Sequence, residues 1–105
     1  MYRNFFRALE NQKEIKFLRA NINYTTIYFK MRERVISKTL NLVMGELDQG
    51  RFCRCHRSFI VNFDHISEVD FKNNIIKIDS GEVIPISRRS RAFVRRFSKQ
   101  YIMTL

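Results

Sequence analysis

The sequence predicts a mostly β domain with α elements, a β-rich α+β fold: an antiparallel β meander with one internal helix and a basic helix at its C-terminal end. Three observations carry this. Apolar residues fall in short alternating runs over most of the chain. Two segments, residues 39–49 and 88–101, switch to helical spacing. Turn-forming pairs, Asn73-Asn74 and Ser80-Gly81, punctuate the second half.

In chain order, residues 1–14 mix Phe5, Phe6 and Leu9 with charge and are compatible with a short strand, a helical turn or an arm. Residues 15–105 are expected to form the domain proper. Ile15, Phe17, Ile27 and Phe29 alternate with polar residues on either side of Asn21-Ile22-Asn23-Tyr24-Thr25-Thr26, the pattern of two strands joined at a turn. Thr39 is placed to cap a helix whose apolar stripe is Leu40, Val43, Met44 and Leu47, with Gly50 as its stop. Strand-like runs follow at residues 52–55, 59–61, 66–71, 75–78 and 83–86. Pro85, the single proline, requires an edge or terminal position in its strand because it donates no ladder hydrogen bond. The last segment spaces Phe93, Val94, Phe97 and Tyr101 as one helical face, with Arg91, Arg95, Arg96 and Lys99 among the other positions.

The 105 residues, 45% of them apolar and ten of them Phe, suffice for one core and leave no material for a second domain. A net charge of +10 opposes compaction through self-repulsion, so it points to a polyanionic partner. Charge gives the sign of that partner only: nucleic acid, an anionic membrane surface and an acidic protein all satisfy it. No apolar run approaches the length needed to cross a bilayer, and the first residues lack a signal-peptide core, so a cytoplasmic protein is expected.

Sites for chemistry are scarce. Cys53 and Cys55 stand two apart in a predicted strand, where strand rise separates their side chains by about 6.5–7 Å and a disulfide requires distortion. These two Cys and two His cannot complete a four-ligand zinc site without a carboxylate. His56 beside Cys55 does not form a nucleophile and base, because neighbours along a strand point to opposite faces. Three glycines in all make a phosphate-cradling loop improbable. An enzyme, a metal and a cofactor are therefore not expected. Arginines, by contrast, cluster: Arg51, Arg54 and Arg57 at one strand, and Arg88, Arg89, Arg91, Arg95 and Arg96 in the last segment. Guanidinium forks match phosphate oxygens and the O6/N7 edge of guanine. The plainer account of the last helix is a solvated basic face.

The run Phe52-Cys53-Arg54-Cys55-His56-Arg57-Ser58-Phe59-Ile60-Val61-Asn62, followed by His65-Ile66, resembles the signature of the LytTR DNA-binding domain. Two further pieces stand in that family's order. Residues 15–26 are similar to its strand, Asn-Tyr loop and following strand, and Ile84-Pro85-Ile86-Ser87-Arg88-Arg89 to its closing strand and Ser-Arg-Arg turn. The helix ahead of the signature also sits where the family has one.

The resemblance implies a β module of the kind found in response regulators, whose loops rather than a recognition helix enter double-stranded DNA. Two successive major grooves and the minor groove between them are the usual contacts, on promoter repeats, with a homodimer on DNA as one arrangement. Carried over by residue, the DNA-facing positions are Asn21, Asn23 and Thr25 in the first loop, Asn62 after the signature strand, and Arg88, with Arg89 as a neighbouring phosphate contact. Asn62 has the alternative of capping a turn, and His56 is expected to make a structural hydrogen bond. The family's first strand has only Tyr2 to Leu9 to represent it. The family is often joined to a receiver domain or membrane segments, for which the residues before Ile15 leave no room; a stand-alone regulator or an excised fragment is expected. The rival function is a protein-interaction module that sets the same basic face against an acidic partner.

Overall fold

The computed structural model describes residues 11–103. The expected arm or partial first strand lies mostly outside them, and a 3-10 turn at Gln12–Glu14 is its only described part. Among the described residues the strands are β1 (Ile15–Asn21), β2 (Tyr24–Phe29), β3 (Glu33–Ile36), β4 (Phe52–His56), β5 (Phe59–Asn62), β6 (Ile66–Asp70), β7 (Ile75–Ile78) and β8 (Val83–Pro85). Helix α1 (Leu40–Met44) lies between β3 and β4, and helix α2 (Arg91–Met103) follows β8.

Every pairing is antiparallel, and the strands are dealt into two sheets of order β3-β2-β1-β5-β4 and β6-β7-β8. The hairpin β4–β5 thus returns to flank β1, while β1 to β3 and β6 to β8 each run as a simple meander. β1 takes the centre of the larger sheet because it is apolar on both faces: residues 15–18 are all buried. Lys16 is the polar member of that run, and its ammonium is met by Glu82 at 2.5 Å and the Ser80 hydroxyl at 3.0 Å.

Two cores follow from this two-faced sheet. On one face Leu18, Ile27, Phe52 and Ile60 pack with Leu40 and Val43 of α1. On the other, Phe17, Cys53, Cys55 and Val61 pack with Ile76, Ile78 and Ile84 of the smaller sheet and Val94 and Phe97 of α2. Phe63 packs at a tilt against α2, with ring centroids 4.7 Å from Phe97 and 5.5 Å from Tyr101. Pro85 closes β8 at a sheet edge, as its missing N–H requires.

The internal helix is shorter than its periodicity. Thr39 caps it as expected, its hydroxyl accepting from the Leu42 N–H at 3.4 Å, but the helix stops at Gly45 instead of reaching Gly50. The Gln49 amide braces the chain past this stop, donating to the carbonyls of Met44 (2.7 Å), the last helical residue, and of Leu47 (2.9 Å) beyond it. Leu47 stays in the core although it lies beyond the helix.

Candidate nucleic-acid interface

Three short connections are tied side by side by main-chain hydrogen bonds. The end of β1 reaches the β4–β5 turn through the Ala20 N–H, which donates to the Ser58 carbonyl at 2.8 Å. The turn before α2 reaches β4 through the Ser87 N–H, which donates to the Cys55 carbonyl at 3.0 Å. The β1–β2 tip, the β4–β5 turn and the 3-10 turn Arg88–Ser90 are thereby fixed relative to one another. Each is also braced within itself. Ser87 caps the 3-10 turn, its oxygen accepting from the Ser90 N–H at 3.2 Å while its hydroxyl donates to the Ser90 oxygen at 2.8 Å. In the β4–β5 turn His56 Nδ1 accepts from the Ser58 N–H at 3.0 Å, the structural role expected for it, which fixes this nitrogen as the unprotonated one.

Arg54 is the strut of the β4–β5 turn. Its guanidinium donates to the carbonyls of His56 (3.0 Å) and Arg57 (2.5 Å) and to the Asn41 side chain of α1 (2.7 Å). Partial burial holds its pKa below the ordinary arginine value. With both forks occupied by protein, Arg54 is a support and not a free contact.

A recess of about 600 Å³ opens between these turns, lined by Asn41, Arg54, His56, Arg57, Ser87, Arg89 and Ser90. It contains no carboxylate. Elsewhere the acidic residues neutralise their basic neighbours: Glu82 meets Lys16, Asp48 and Asp64 meet Arg51, and Glu68 meets Lys77. The side chains of Arg57, Arg88 and Arg89 are exposed and make no hydrogen bond or ion pair among the described residues, so this face carries uncompensated positive charge.

Asn21, Asn23, Arg88 and Arg89 stand at the surface, as DNA contacts require. Thr25 and Asn62 do not, and here the structure corrects the expectation. Both are fully buried. The loop expected over residues 21–25 closes after Ile22-Asn23, because Asn21 already pairs with Tyr24, and Thr25 lies inside β2 with its hydroxyl donated to the Lys38 carbonyl at 2.7 Å. Asn62 donates to the Ile15 carbonyl at 2.8 Å and accepts from the Asp64 N–H at 2.9 Å, capping the turn Phe63–His65, the alternative role. Arg91, in the basic cluster, is also spent internally: it donates to the Phe71 carbonyl at 2.6 Å and to the Asn74 side chain. Arg95 lies 4.4 Å over the Phe71 ring.

Arg57 is the site residue that the family pattern did not single out. Its signal was present in the sequence, since it sits between His56 and Ser58 in the signature and within the first arginine cluster. Only the two-residue turn between β4 and β5 shows that it projects beside Arg89.

An antiparallel β domain that collects unpaired guanidinium groups on adjoining turns has the chemistry of a nucleic-acid-binding module. The chain belongs to the LytTR family: the family model of the LytTr DNA-binding domain matches residues 8–100. Among solved structures, the LytTr DNA-binding domain of a Bacillus cereus protein described as a methyl-accepting/DNA response regulator is similar to it. The two share 27% identity and a TM-score of 0.75 over 81% of each chain. No curated protein matches. The domain is thus of a DNA-binding type that serves transcription regulation, and this type is not catalytic. No helix among the described residues is long and apolar enough to cross a membrane.

Proposed function

We propose that the chain recognises a specific duplex DNA sequence with the face formed by the β1–β2 tip, the β4–β5 turn and the Arg88–Ser90 turn, and thereby regulates transcription in the bacterial cytoplasm. The observation that carries this is the set of unpaired arginines, Arg57, Arg88 and Arg89, on connections locked together at one end of the fold. Arg88 reads a guanine edge with its planar fork, Arg57 and Arg89 hold phosphates, and Asn21 and Asn23 offer the donor and acceptor pair that adenine presents in the major groove. The loops enter successive grooves while α2 stays behind as a core helix. Two copies on promoter repeats, as the output of a two-component response regulator, complete the proposal.

The experiment is selection of a preferred duplex from a randomised library, followed by affinity measurements on that duplex and on a scrambled one over a range of salt. A marked preference and a steep fall of log K with log salt are expected, because each phosphate contact releases condensed counterions. Equal affinity for both duplexes overturns sequence specificity. A slope near zero removes the basic face from the mechanism and leaves an acidic protein partner as its use.

A further inference from the structure

Ile22 occupies the tip of the β1–β2 hairpin with φ 58°, and 90% of its surface is exposed. Neither property suits the residue. Left-handed backbone crowds the β-carbon against the following carbonyl, most severely for a β-branched side chain, and asparagine or glycine relieves it. The other described positions with positive φ have such residues, Asn74 in the β6–β7 turn and Gly81 before β8. At the β1–β2 tip the asparagines are on either side, Asn21 and Asn23, while isoleucine holds the strained place. Exposure removes the other ordinary reason for a large apolar residue, since Ile22 contributes nothing to either core.

A side chain that costs stability and buries nothing in the free protein is accounted for by what it buries in a complex. Resting on the DNA-binding function above, we propose that Ile22 is a specificity-determining residue that packs against the C5-methyl group of a thymine in the major groove, at an A·T pair that Asn21 or Asn23 approaches by hydrogen bonding. The chemistry is complementary. Thymine presents the one apolar group on the major-groove edges of the four bases, and asparagine matches the N6/N7 edge of adenine. The short tip favours this arrangement. Asn21 pairs with Tyr24, so only Ile22 and Asn23 project beyond the ladder, and Asn21 and Asn23 are both exposed.

The test is a thymine-to-uracil scan of the selected duplex, which removes one methyl at a time and leaves base pairing intact, read with the unaltered protein, Ile22→Val and Ile22→Asn. The unaltered protein and Ile22→Val are expected to lose about fourfold in affinity at one position, the equivalent of one buried methyl group. Ile22→Asn is expected to bind thymine and uracil there equally, and to unfold about 4 °C or more higher as the backbone strain is relieved. Raised stability with lost methyl sensitivity is the signature of strain kept for recognition. The proposal is overturned if the uracil penalty persists unchanged in Ile22→Asn, if no position shows a penalty in the unaltered protein, or if Ile22→Asn unfolds at the same or a lower temperature. Failure of the unaltered protein to prefer the selected duplex over the scrambled one is a different result: it overturns the DNA-recognition proposal itself, and this one with it.

Discussion

The Ser87 amide donates to the Cys55 carbonyl across 3.0 Å, and this bond fixes the arginine turn before α2 against the strand that leads into Arg57. On the proposed reading, recognition at this face therefore depends on residues that do not touch DNA. Ser87→Ala removes the cap of the 3-10 turn and is expected to cost about 1 kcal/mol of stability. Its effect on affinity is expected to exceed that on stability, because Arg88 and Arg89 lose their fixed approach. Thermal unfolding and duplex titration on the same preparation check both.

Arg88 and Arg95 are expected to differ in kind. Arg88→Ala should cost about 1–3 kcal/mol at the preferred site and flatten discrimination at one base position, while Arg95→Ala, on the helix that stays behind and over the Phe71 ring, leaves affinity and salt slope nearly unaltered. Arg88→Lys keeps charge and loses the planar fork, so a guanine contact does not survive it and a phosphate contact largely does. Affinities on single-base variants of the site decide. Equal losses on specific and scrambled DNA move base reading to Asn21 and Asn23; the base-specific loss appearing in Arg89→Ala instead exchanges the two turn arginines.

Asn62 is expected to act on folding alone. Asn62→Ala leaves the Ile15 carbonyl without its partner in the interior and the partly buried Asp64 N–H without its cap. Each buried group left unpaired costs about 1–3 kcal/mol. Urea denaturation should show the loss, while the fraction still folded binds DNA with unaltered affinity. A base-specific loss of binding with unaltered stability would sink this assignment.

Cys53 and Cys55 are both buried and free. Burial pushes both thiols up from the ordinary 9.0, Cys55 to about 12 and Cys53 further. The neutral thiol is thus the folded form at neutral pH, and a thiol reagent is expected to label neither residue until the domain unfolds. The linkage has a definite sign. The unfolded chain gives up these protons first, so the folded state loses stability as pH rises above about 9, and the contribution is complete below that. Denaturation midpoints between pH 8 and 11 measure it, and replacing both cysteines by Ala should flatten the decline.

The sequence was most legible where period and local chemistry agree. Thr39 and Ser87 are caps that short-range rules identify, Phe93, Val94 and Phe97 mark α2, and Pro85 marks an edge. The site was legible in part. Arg88, Arg89, Asn21 and Asn23 stand exposed as the family pattern implied, but Thr25, Asn62 and Arg91 have their polar groups committed to partners 13, 47 and 20 residues away in the chain, and no local pattern records such a partner.

By itself the sequence determined the β-rich class, the positive charge and the family, because alternation, composition and a contiguous signature are properties of neighbours along the chain. Tertiary structure alone decided that β4–β5 returns to flank β1, that Arg54 and Arg91 brace turns while Arg57 stays free, and that Ile22 rather than Asn23 takes the strained place at the hairpin tip. The physical reason is that a polar side chain is either spent or available according to which distant carbonyl the fold brings within about 3 Å of it, and that distance is set by strand pairing across the sheet.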